Sequence, residues 1–459
     1  MNDESVGVAT IGIVDRLERL PMTSYQKTIF IIIATAWLFD SMDLGMMTFI
    51  LGSIKAEFGL STSQAGLLAS SSFFGMFIGA AISGLLADRF GRRIVFQWSM
   101  VLWGMGSILC ALAGNVTTLM LFRVLLGIGM GMEFPVGQAM LSEIMPAGQR
   151  GRYTAFLEGF WPIGFICAGL TAYFLLPVGG WRGVFFALGI PAIFVLVIRQ
   201  FVPESPRWLE SRGRHKDADQ VMTKIEAKVR NANGGKPLPE IEASTILYRH
   251  GQGRSGFKAL WAPGYAKRTF MVWSLWFFAL LGYYGLTTWL GALLQQAGYP
   301  VTKSVFYTLL ISLAGVPGFL TSAWLVESWG RKPTCVLMLL GSACMAYLYG
   351  NTAAHVADQT QLIVFGLGMQ FFMFGMWSVL YAYTPELYPT RCRATGGGFA
   401  SCVGRIGSLI GPYVVGIILP VAGQSGVFGL GASCFVIAAL VVLFLGIETK
   451  GKVLEEISA

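Results

Sequence analysis

The sequence predicts an all-α membrane protein with twelve transmembrane helices in two six-helix halves, and three observations lead to this prediction. Hydrophobic residues make up 54% of the 459-residue chain and charged residues only 12%, whereas a soluble domain carries roughly 25% charged residues. The apolar residues are collected in long runs, and a helix needs about 20 such residues to cross the hydrocarbon core of a bilayer. A short charged loop also occurs twice, about half a chain length apart.

Twelve apolar runs are long enough to span a membrane. They lie near residues 25–50, 65–87, 94–113, 117–140, 152–176, 182–202, 268–296, 301–326, 334–350, 360–384, 394–417 and 426–446. One long polar segment interrupts the series after the sixth run. The predicted divisions are an N-terminal segment (1–24), a first half (25–202), a central loop (203–267), a second half (268–446) and a C-terminal tail (447–459).

The basic residues indicate the orientation. The loops after the second, fourth, eighth and tenth helices carry most of the Arg and Lys, and the alternate loops carry few. Because basic loops stay on the cytoplasmic side, we expect both termini and the central loop to be cytoplasmic. The expected location is a plasma membrane, the inner membrane of a bacterium.

The duplicated loop runs from Gly84 to Arg93 and again from Ala323 to Lys332, which are 323 − 84 = 239 residues apart. Each copy contains an acid, a turn glycine and a basic pair. Ion pairs and helix dipoles there predict a breakable charge latch that holds one packing of the two halves; the simpler interpretation is that the cations only fix the topology. The candidate gate residues are Asp88, Arg89, Arg92, Arg93, Glu143, Arg152, Glu327, Arg331, Glu386 and Arg393.

Two further pairs are expected in this gate, Glu143 with Arg152 and Glu386 with Arg393. The second copy of the loop lacks the leading glycine and has glutamate in place of aspartate. We therefore expect the first copy to be the stronger latch.

Ionisable side chains inside the membrane cost at least ~2.5–3.5 kcal/mol each near its centre, so they are candidates for function. Asp40 and Asp43 share one face of the first helix, and the helical rise places Arg123 at a depth similar to that of Asp40, in the outer half. A pair between one of these aspartates and Arg123 is expected. Either an aspartate binds a proton or the substrate, or the pair only neutralises the two charges. Glu133 and Glu158 lie in the inner half and either carry a proton or hydrogen-bond neighbouring helices.

Arg405 lies midway along the eleventh helix, and no acid precedes it in that helix. Such an arginine can hold a carboxylate substrate through two hydrogen bonds, and the alternative is an ion pair with Glu386 or another acid. Tyr284, Gln370 and Trp377 lie at middle depths on the seventh and tenth helices, where they either line a pocket for a flat aromatic acid or only pack.

The sequence offers no nucleophile–base arrangement and no metal-ligand cluster, so an enzyme, a cofactor and a bound metal are not expected. The seven cysteines are mostly in or beside apolar runs, without a CxxC pair, and are interpreted as small packing residues. The expected partners are a small molecule, protons and the bilayer, with no nucleic acid and with the protein as a monomer.

The duplicated loop resembles the signature loop of the major facilitator superfamily. Glu133–Val136, Leu157–Trp161 and Met42–Met46 resemble the bacterial niacin permeases, and Pro203–Leu209 resembles a loop shared by sugar porters and the organic-ion transporter family. Arg393–Gly407 is similar to organic anion transporters, in which the arginine at the matching position is implicated in anion binding. Asp40-x-x-Asp43 is similar to the Asp-Gly-x-Asp element of aromatic acid/proton symporters, with Ser41 where glycine stands.

These resemblances imply a secondary transporter that works by alternating access. The implied substrate is nicotinate or a similar aromatic monocarboxylate, moved with a proton that Asp43, Glu133 or Glu158 would carry. The alternatives are an organic-cation or sugar carrier of the same fold and a receptor that does not transport. The Gln-Gln pair of sugar porters is absent from the matching part of the seventh helix, and Gln295-Gln296 comes nearer its end.

Overall fold

The computed structural model describes residues 12–240, 260–262, 264–354, 359–388 and 393–450. Within these residues the chain forms helices joined by turns, without a strand. Ten helical segments are long and apolar enough to cross a bilayer. They are Ser24–Phe58, Thr62–Phe90, Arg92–Ala111, Val116–Ile144, Gln149–Phe201, Ala266–Gln296, Val301–Ser328, Arg331–Ala353, Gln359–Glu386 and Thr395–Leu445.

Two of these segments are each a pair of spans. They hold 53 and 51 residues, roughly 75–80 Å of helix, whereas the hydrocarbon core is about 30 Å thick. Each is broken by a glycine with a non-helical conformation, Gly180 (φ 61°) and Gly423 (φ 64°). Ten segments therefore give twelve spans, which confirms the predicted fold class. We number the spans 1 to 12 in chain order, with spans 5 and 6 at 149–179 and 181–201 and spans 11 and 12 at 395–422 and 424–445.

The two halves repeat their turns as well as their helices. The breaks at Gly180 and Gly423 are 423 − 180 = 243 residues apart. In the duplicated loops, Gly91 (φ 102°) and Gly330 (φ 123°) both have a positive φ, which a residue with a Cβ rarely adopts. These loops, which we call the signature loops (84–93 and 323–332), lie on the same side of the helix bundle in the two halves.

Short helices lie outside the spans, in segments that the sequence indicated only as polar. They are Ile13–Glu18, Pro206–Ser211 and His215–Ala232. Leu17, Trp208 and Met222 belong to one small apolar cluster that holds them together. Arg16 and Arg19 pair with Glu226 at 2.8 and 2.6 Å. The N-terminal helix is thus attached to the central loop, on the side of the signature loops.

The halves pack closely at the end of the bundle opposite the signature loops. A Cβ added to Gly66 on span 2 would lie 2.7 Å from the carbonyl oxygen of Pro412 on span 11, and one added to Gly416 would lie 2.5 Å from that of Thr62. At Gly291 on span 7 it would lie 2.3 Å from the carbonyl oxygen of Thr48 on span 1. Such glycines let helix backbones touch, so the bundle is closed at this end.

The contacts between the halves are mostly apolar. Phe73 packs against Tyr284 with ring centroids 4.6 Å apart, and Phe165 packs against Phe374 at 5.8 Å. Among the described residues, the ion pairs of the spans stay within their own half or reach segments outside the spans. The side chains of Trp161 and Tyr283, which belong to different halves, interact across the interface.

Gly66→Leu should open the closed end of the bundle. The new side chain would meet the backbone of span 11, and that backbone cannot rotate away as a side chain can. In a cysteine-free background, we expect spin labels at positions 63 and 421 to move farther apart, as measured by pulsed electron resonance.

Gly84→Leu is the matched control, because it lies on the same helix and a Cβ there meets no atom within 4 Å. It should leave the distance distribution of the spin labels unchanged. An unchanged distribution in Gly66→Leu would contradict the close packing described here.

Candidate functional site: a cavity between the two halves

A cavity lies where the two halves meet, and both halves contribute to its lining. The first half contributes Phe73, Met76, Phe134, Glu158, Trp161 and Pro162. The second half contributes Trp276, Leu280, Tyr284, Phe319, Phe374, Trp377, Tyr381, Ser401, Arg405 and Ser408. A site shared by both halves is the arrangement expected when two repeats move around a bound ligand.

Arg405 is the cation of this cavity. Its guanidinium carbon lies 5.2 Å from the centroid of the Phe134 ring on the other half, a cation–π contact that leaves the N–H groups free. Among the described residues, no acid lies within 4 Å of the guanidinium and no oxygen accepts a hydrogen bond from it. Glu386, the alternative partner, binds Arg331 instead. The alternative interpretation, an ion pair of Arg405 with Glu386, is therefore not supported in the described structure.

Aromatic rings form the walls around Arg405. Trp377 stacks on Tyr381 with centroids 5.8 Å apart and an interplanar angle of 21°. Tyr284 and Trp276 meet the same tryptophan edge-on at 6.2 and 6.4 Å. The indole N–H of Trp377 is buried, and Trp377 also contacts Tyr283 edge-on at 5.3 Å. Tyr284 and Trp377, which were selected from the sequence, thus lie in the cavity with Arg405.

Gln370 does not line the cavity. Its side chain is fully buried, and both the amide nitrogen and the amide oxygen lack a partner in the described structure. The position was selected for its middle depth on span 10, but depth does not fix which face of a helix a residue occupies. The expectation that Gln370 touches the ligand in this cavity is not met in this structure.

Glu158 is the acid of the cavity. It is the last residue of the helix Ala147–Glu158, which ends one residue before the next helix of span 5 begins. Its exposed fraction is only 4%, and Oε1 accepts a hydrogen bond from Nε2 of Gln138 at 3.1 Å. An interrupted helix at a central cavity is a common feature of transporter sites.

Two more acids, Asp40 and Glu133, lie behind the cavity wall. Asp40 is completely buried and neither carboxylate oxygen has a hydrogen-bond partner. Glu133 is completely buried too: Oε2 accepts from the indole of Trp103 at 2.9 Å, while Oε1 has no partner. The charges of Glu133, Asp43 and Arg405 all act on Asp40. Two charged carboxylates at such a place would be very unfavourable, because Asp40 and Oε1 of Glu133 have no partner that compensates for their lost hydration.

Arg123 does not form the ion pair that the sequence suggested. Its Nη2 donates to Ser72 Oγ at 2.7 Å and its Nε donates to the carbonyl oxygen of Leu68 at 3.3 Å. No carboxylate oxygen of Asp40 or Asp43 lies within 4 Å of it, although its charge acts on Asp43. Span 2 supplies nearer acceptors, which a comparison of depths on spans 1 and 4 could not reveal.

The first signature loop forms its ion pairs inside the first half. Arg92 binds Asp88 at 3.1 Å and Glu143 at 3.5 Å. The expected pair of Glu143 with Arg152 is therefore wrong, and Arg152 stacks on Phe156 instead. Arg89 stacks similarly on Phe90.

The second signature loop repeats this arrangement with better geometry. Arg331 binds Glu327 at 3.0 Å and reaches Glu386 through both Nε and Nη2 at 3.0 Å. A bidentate ion pair of this kind is stronger than a single contact at a longer distance. The geometry thus favours the second loop and not the first, contrary to expectation. Glu386 pairs with Arg331, and the side chain of Arg393, its expected partner, lies outside the described part.

Glu204 and Glu448 also contact the signature loops, although they are not among the gate residues predicted from the sequence. Glu204 accepts the backbone N–H of Arg93 at 3.2 Å, and Glu448 accepts those of Arg331 and Lys332 at 3.0 Å. Each acid caps the helix that follows a signature loop and ties it to the end of span 6 or span 12. The two acids are 448 − 204 = 244 residues apart, so the duplication itself was the signal that could have revealed them.

Glu18 joins the short helices to the first half. Its Oε1 accepts hydrogen bonds from Arg150 at 3.0 Å and from Arg207 at 2.7 Å. Burial raises the pKa of this carboxyl, but the two guanidinium groups outweigh it and lower the pKa below its ordinary value. The N-terminal helix, the central loop and the start of span 5 are therefore one ion-paired unit.

Comparison with known proteins gives consistent results. The profile of the family described as "Sugar (and other) transporter" matches residues 24–459. The niacin transporter NiaP of Acinetobacter baylyi is 38% identical over 449 residues, which are 97% of this chain and 100% of that protein. The putative niacin/nicotinamide transporter NiaP of Bacillus subtilis is 33% identical over 435 residues, covering 94% and 98%. The inward-open xylose transporter XylE from E. coli superposes with a TM-score of 0.74 at 21% identity, covering 94% and 99%.

Glu448→Gln should lower the melting temperature at neutral pH. Burial raises the pKa of Glu448, but four backbone N–H groups outweigh burial and lower the pKa below its ordinary value of 4.5. A lowered pKa means that the folded state favours the ionised carboxylate. The stabilisation is therefore complete above the ordinary value and is lost as the pH falls through the lowered value.

The measurement is the melting temperature of wild type and variant in detergent across the pH range. The difference should shrink as the pH falls below 4.5. Asp217→Asn, in an exposed ion pair with Arg214, is the control and should change little at any pH. A difference that does not depend on pH would contradict a role for the charge of Glu448.

Proposed function

The chain belongs to the sugar (and other) transporter family of the major facilitator superfamily, and from this premise we propose which substrate it carries and how. The proposed substrate is a small aromatic carboxylate, nicotinate or a close analogue, which crosses the plasma membrane together with a proton. The observation that carries the proposal is Arg405, a guanidinium without an acidic partner in the described structure, in an aromatic cavity between the two halves.

The chemistry of the cavity selects the substrate class. A carboxylate can accept two parallel hydrogen bonds from the guanidinium of Arg405. A lysine ammonium cannot bind a carboxylate in this bidentate geometry. A flat ring fits beside the rings of Tyr284 and Trp377. Both relatives described above are named for niacin or nicotinamide transport, which agrees with this class.

The rival substrates fit less well. An organic cation would be repelled by Arg405. A sugar needs a partner for each of several hydroxyl groups, whereas the cavity wall consists mostly of rings and aliphatic side chains. The likeness to a xylose transporter is at 21% identity and concerns the fold alone.

Alternating access explains why the cavity lies between two halves. The structure is closed at the end opposite the signature loops, where Gly66, Gly291 and Gly416 bring the backbones together. The concentration of Arg and Lys on the signature-loop side predicts that this side is cytoplasmic. With that orientation the structure is closed to the outside, as a transporter must be when it exchanges its ligand with the cytoplasm.

The coupled proton is assigned to Asp40 and Glu133. The positive charge of Arg405 acts on Asp40 and favours its ionised form. When a substrate carboxylate binds to Arg405, it cancels that influence, and Asp40 then binds a proton more readily. By linkage the proton also favours the binding of the anion, so both ligands load together.

The signature loops have a different role in this proposal from the one that the sequence suggested. Arg92 and Arg331 make their ion pairs within one half, and Glu204 and Glu448 fasten the neighbouring helix ends. Each loop therefore keeps its half rigid while the halves rotate against each other. Asp88 and Glu327 are largely exposed, so their pairs contribute little to stability and can break at low cost.

Arg405→Met should weaken nicotinate binding by about tenfold to hundredfold, because a hydrogen-bonded charge pair is lost. Arg405→Lys keeps the positive charge but cannot form the bidentate contact, so its affinity for nicotinate should lie between those of the wild type and Arg405→Met. The measurement is the dissociation constant of labelled nicotinate on the purified protein. Lys303→Ala removes an exposed cation outside the cavity and is the matched control. Unchanged affinity in Arg405→Met would refute the anion site.

Asp40→Asn should abolish accumulation driven by a pH gradient and spare exchange, because an amide cannot take up and release a proton at this site. Proteoliposomes with an alkaline interior should accumulate labelled nicotinate when they contain the wild type and not when they contain the variant. Exchange of labelled for unlabelled nicotinate should continue in both. Wild-type uptake that ignores the gradient would refute proton coupling, and normal accumulation by the variant would refute the role of Asp40.

A further inference from the structure

Glu158 and Arg405 approach the same cavity from different halves of the protein. Glu158 belongs to span 5 and Arg405 to span 11, and both line the cavity. Their charges act on the same two rings, Tyr284 and Tyr381. No ion pair within 4 Å joins them in the described structure, so each remains available to a ligand that lies between them.

The two carboxylate oxygens of Glu158 have different surroundings. Oε1 accepts the hydrogen bond from Gln138, which fixes the orientation of the carboxyl group. The indole of Trp37 also approaches the carboxyl group of Glu158, although its N–H lacks a hydrogen bond of good geometry. Oε2, unlike the oxygens of Asp40, is not sealed from the cavity among the described residues. Glu158 is thus held in place through Oε1 and has a second oxygen that a ligand can reach.

A carboxyl group in an apolar cavity discriminates between ligands. A carbocyclic acid that binds Arg405 through its carboxylate presents C–H groups at the other edge of the ring. Oε2 would then be removed from water without a replacement hydrogen bond, which is unfavourable. A ring nitrogen at that edge can form a hydrogen bond with Oε2 through one shared proton, carried either by the carboxyl group or by the nitrogen.

We infer that Glu158 selects heteroaromatic acids with a basic ring nitrogen over carbocyclic acids of the same shape. This inference rests on the proposed function, because it takes Arg405 as the carboxylate site. It assigns the two ends of the ligand to different halves: the carboxylate to the second half and the ring nitrogen to the first. A ligand with both groups adds a hydrogen-bonded connection between the halves to the apolar contacts that already join them.

Nicotinate and benzoate differ only by the ring nitrogen, so they are the appropriate probes. The experiment measures how each displaces labelled nicotinate from the purified protein. For the wild type, benzoate should bind about tenfold more weakly or worse, the cost of one unsatisfied buried group. For Glu158→Leu, nicotinate affinity should fall to that of benzoate, while benzoate affinity is unchanged or improved.

Glu158→Gln is the conservative variant. Its amide can still donate a hydrogen bond to a ring nitrogen, so it should retain part of the preference for nicotinate. Should Glu158→Leu fail to fold, the comparison of the two acids on the wild type and on Glu158→Gln still decides the matter. Equal affinities of the wild type for nicotinate and benzoate would overturn the inference, as would an equal loss of both acids in a folded Glu158→Leu.

The failure of this inference can be distinguished from the failure of the proposed function. If both acids bind and both depend on Arg405, but Glu158 does not affect their ratio, only the inference is wrong. If neither acid binds to the wild type, or if binding ignores Arg405→Met, the carboxylate site itself is wrong. The two variants therefore test the two ends of the ligand independently.

Discussion

The rest of the structure depends on the way in which the two halves touch. They meet through close backbones at glycines such as Gly66 and through ring contacts such as Phe73 with Tyr284. In the described spans, the ion pairs stay within a half. Apolar contacts of this kind have no fixed direction, and they can be exchanged without leaving a buried polar group unsatisfied. The interface can therefore separate at one end and form at the other at low cost.

This constraint also determines where the charges lie. A side chain such as Arg331 is satisfied by Glu386 on its own half, so a rotation of the halves does not break the pair. The exceptions are the groups at the central cavity. Arg405 lies over the ring of Phe134 on the other half, and Glu158 is held by Gln138 through Oε1 while Oε2 can be reached from the cavity. A ligand that satisfies both groups lowers the free energy of the state in which the halves are close together, which is how binding can drive a conformational change.

The sequence predicted the fold better than the site, for physical reasons. The twelve spans follow from the lengths of the apolar runs, and these lengths can be read directly from the sequence. To predict which residues line the cavity, one must also know how each helix is oriented about its own axis. Depth correctly placed Arg405, Tyr284 and Trp377, but Gln370 at a similar depth faces away from the cavity. Ion pairs were predicted between neighbours in sequence, whereas the structure pairs Glu143 with Arg92 from another helix. Contacts of this kind depend on tertiary packing.

The two halves are duplicated in backbone but not in chemistry. Asp40, Asp43, Arg123, Glu133 and Glu158 all belong to the first half, while Arg405 is the one Asp, Glu, Lys or Arg residue away from the helix ends in the sequence of spans 7–12. One half thus holds the acids and the other holds the cation that can influence them. In the proposed mechanism neither half couples an anion to a proton alone, because Arg405 and Asp40 belong to different halves. The proposed coupling therefore depends on the interface between the halves.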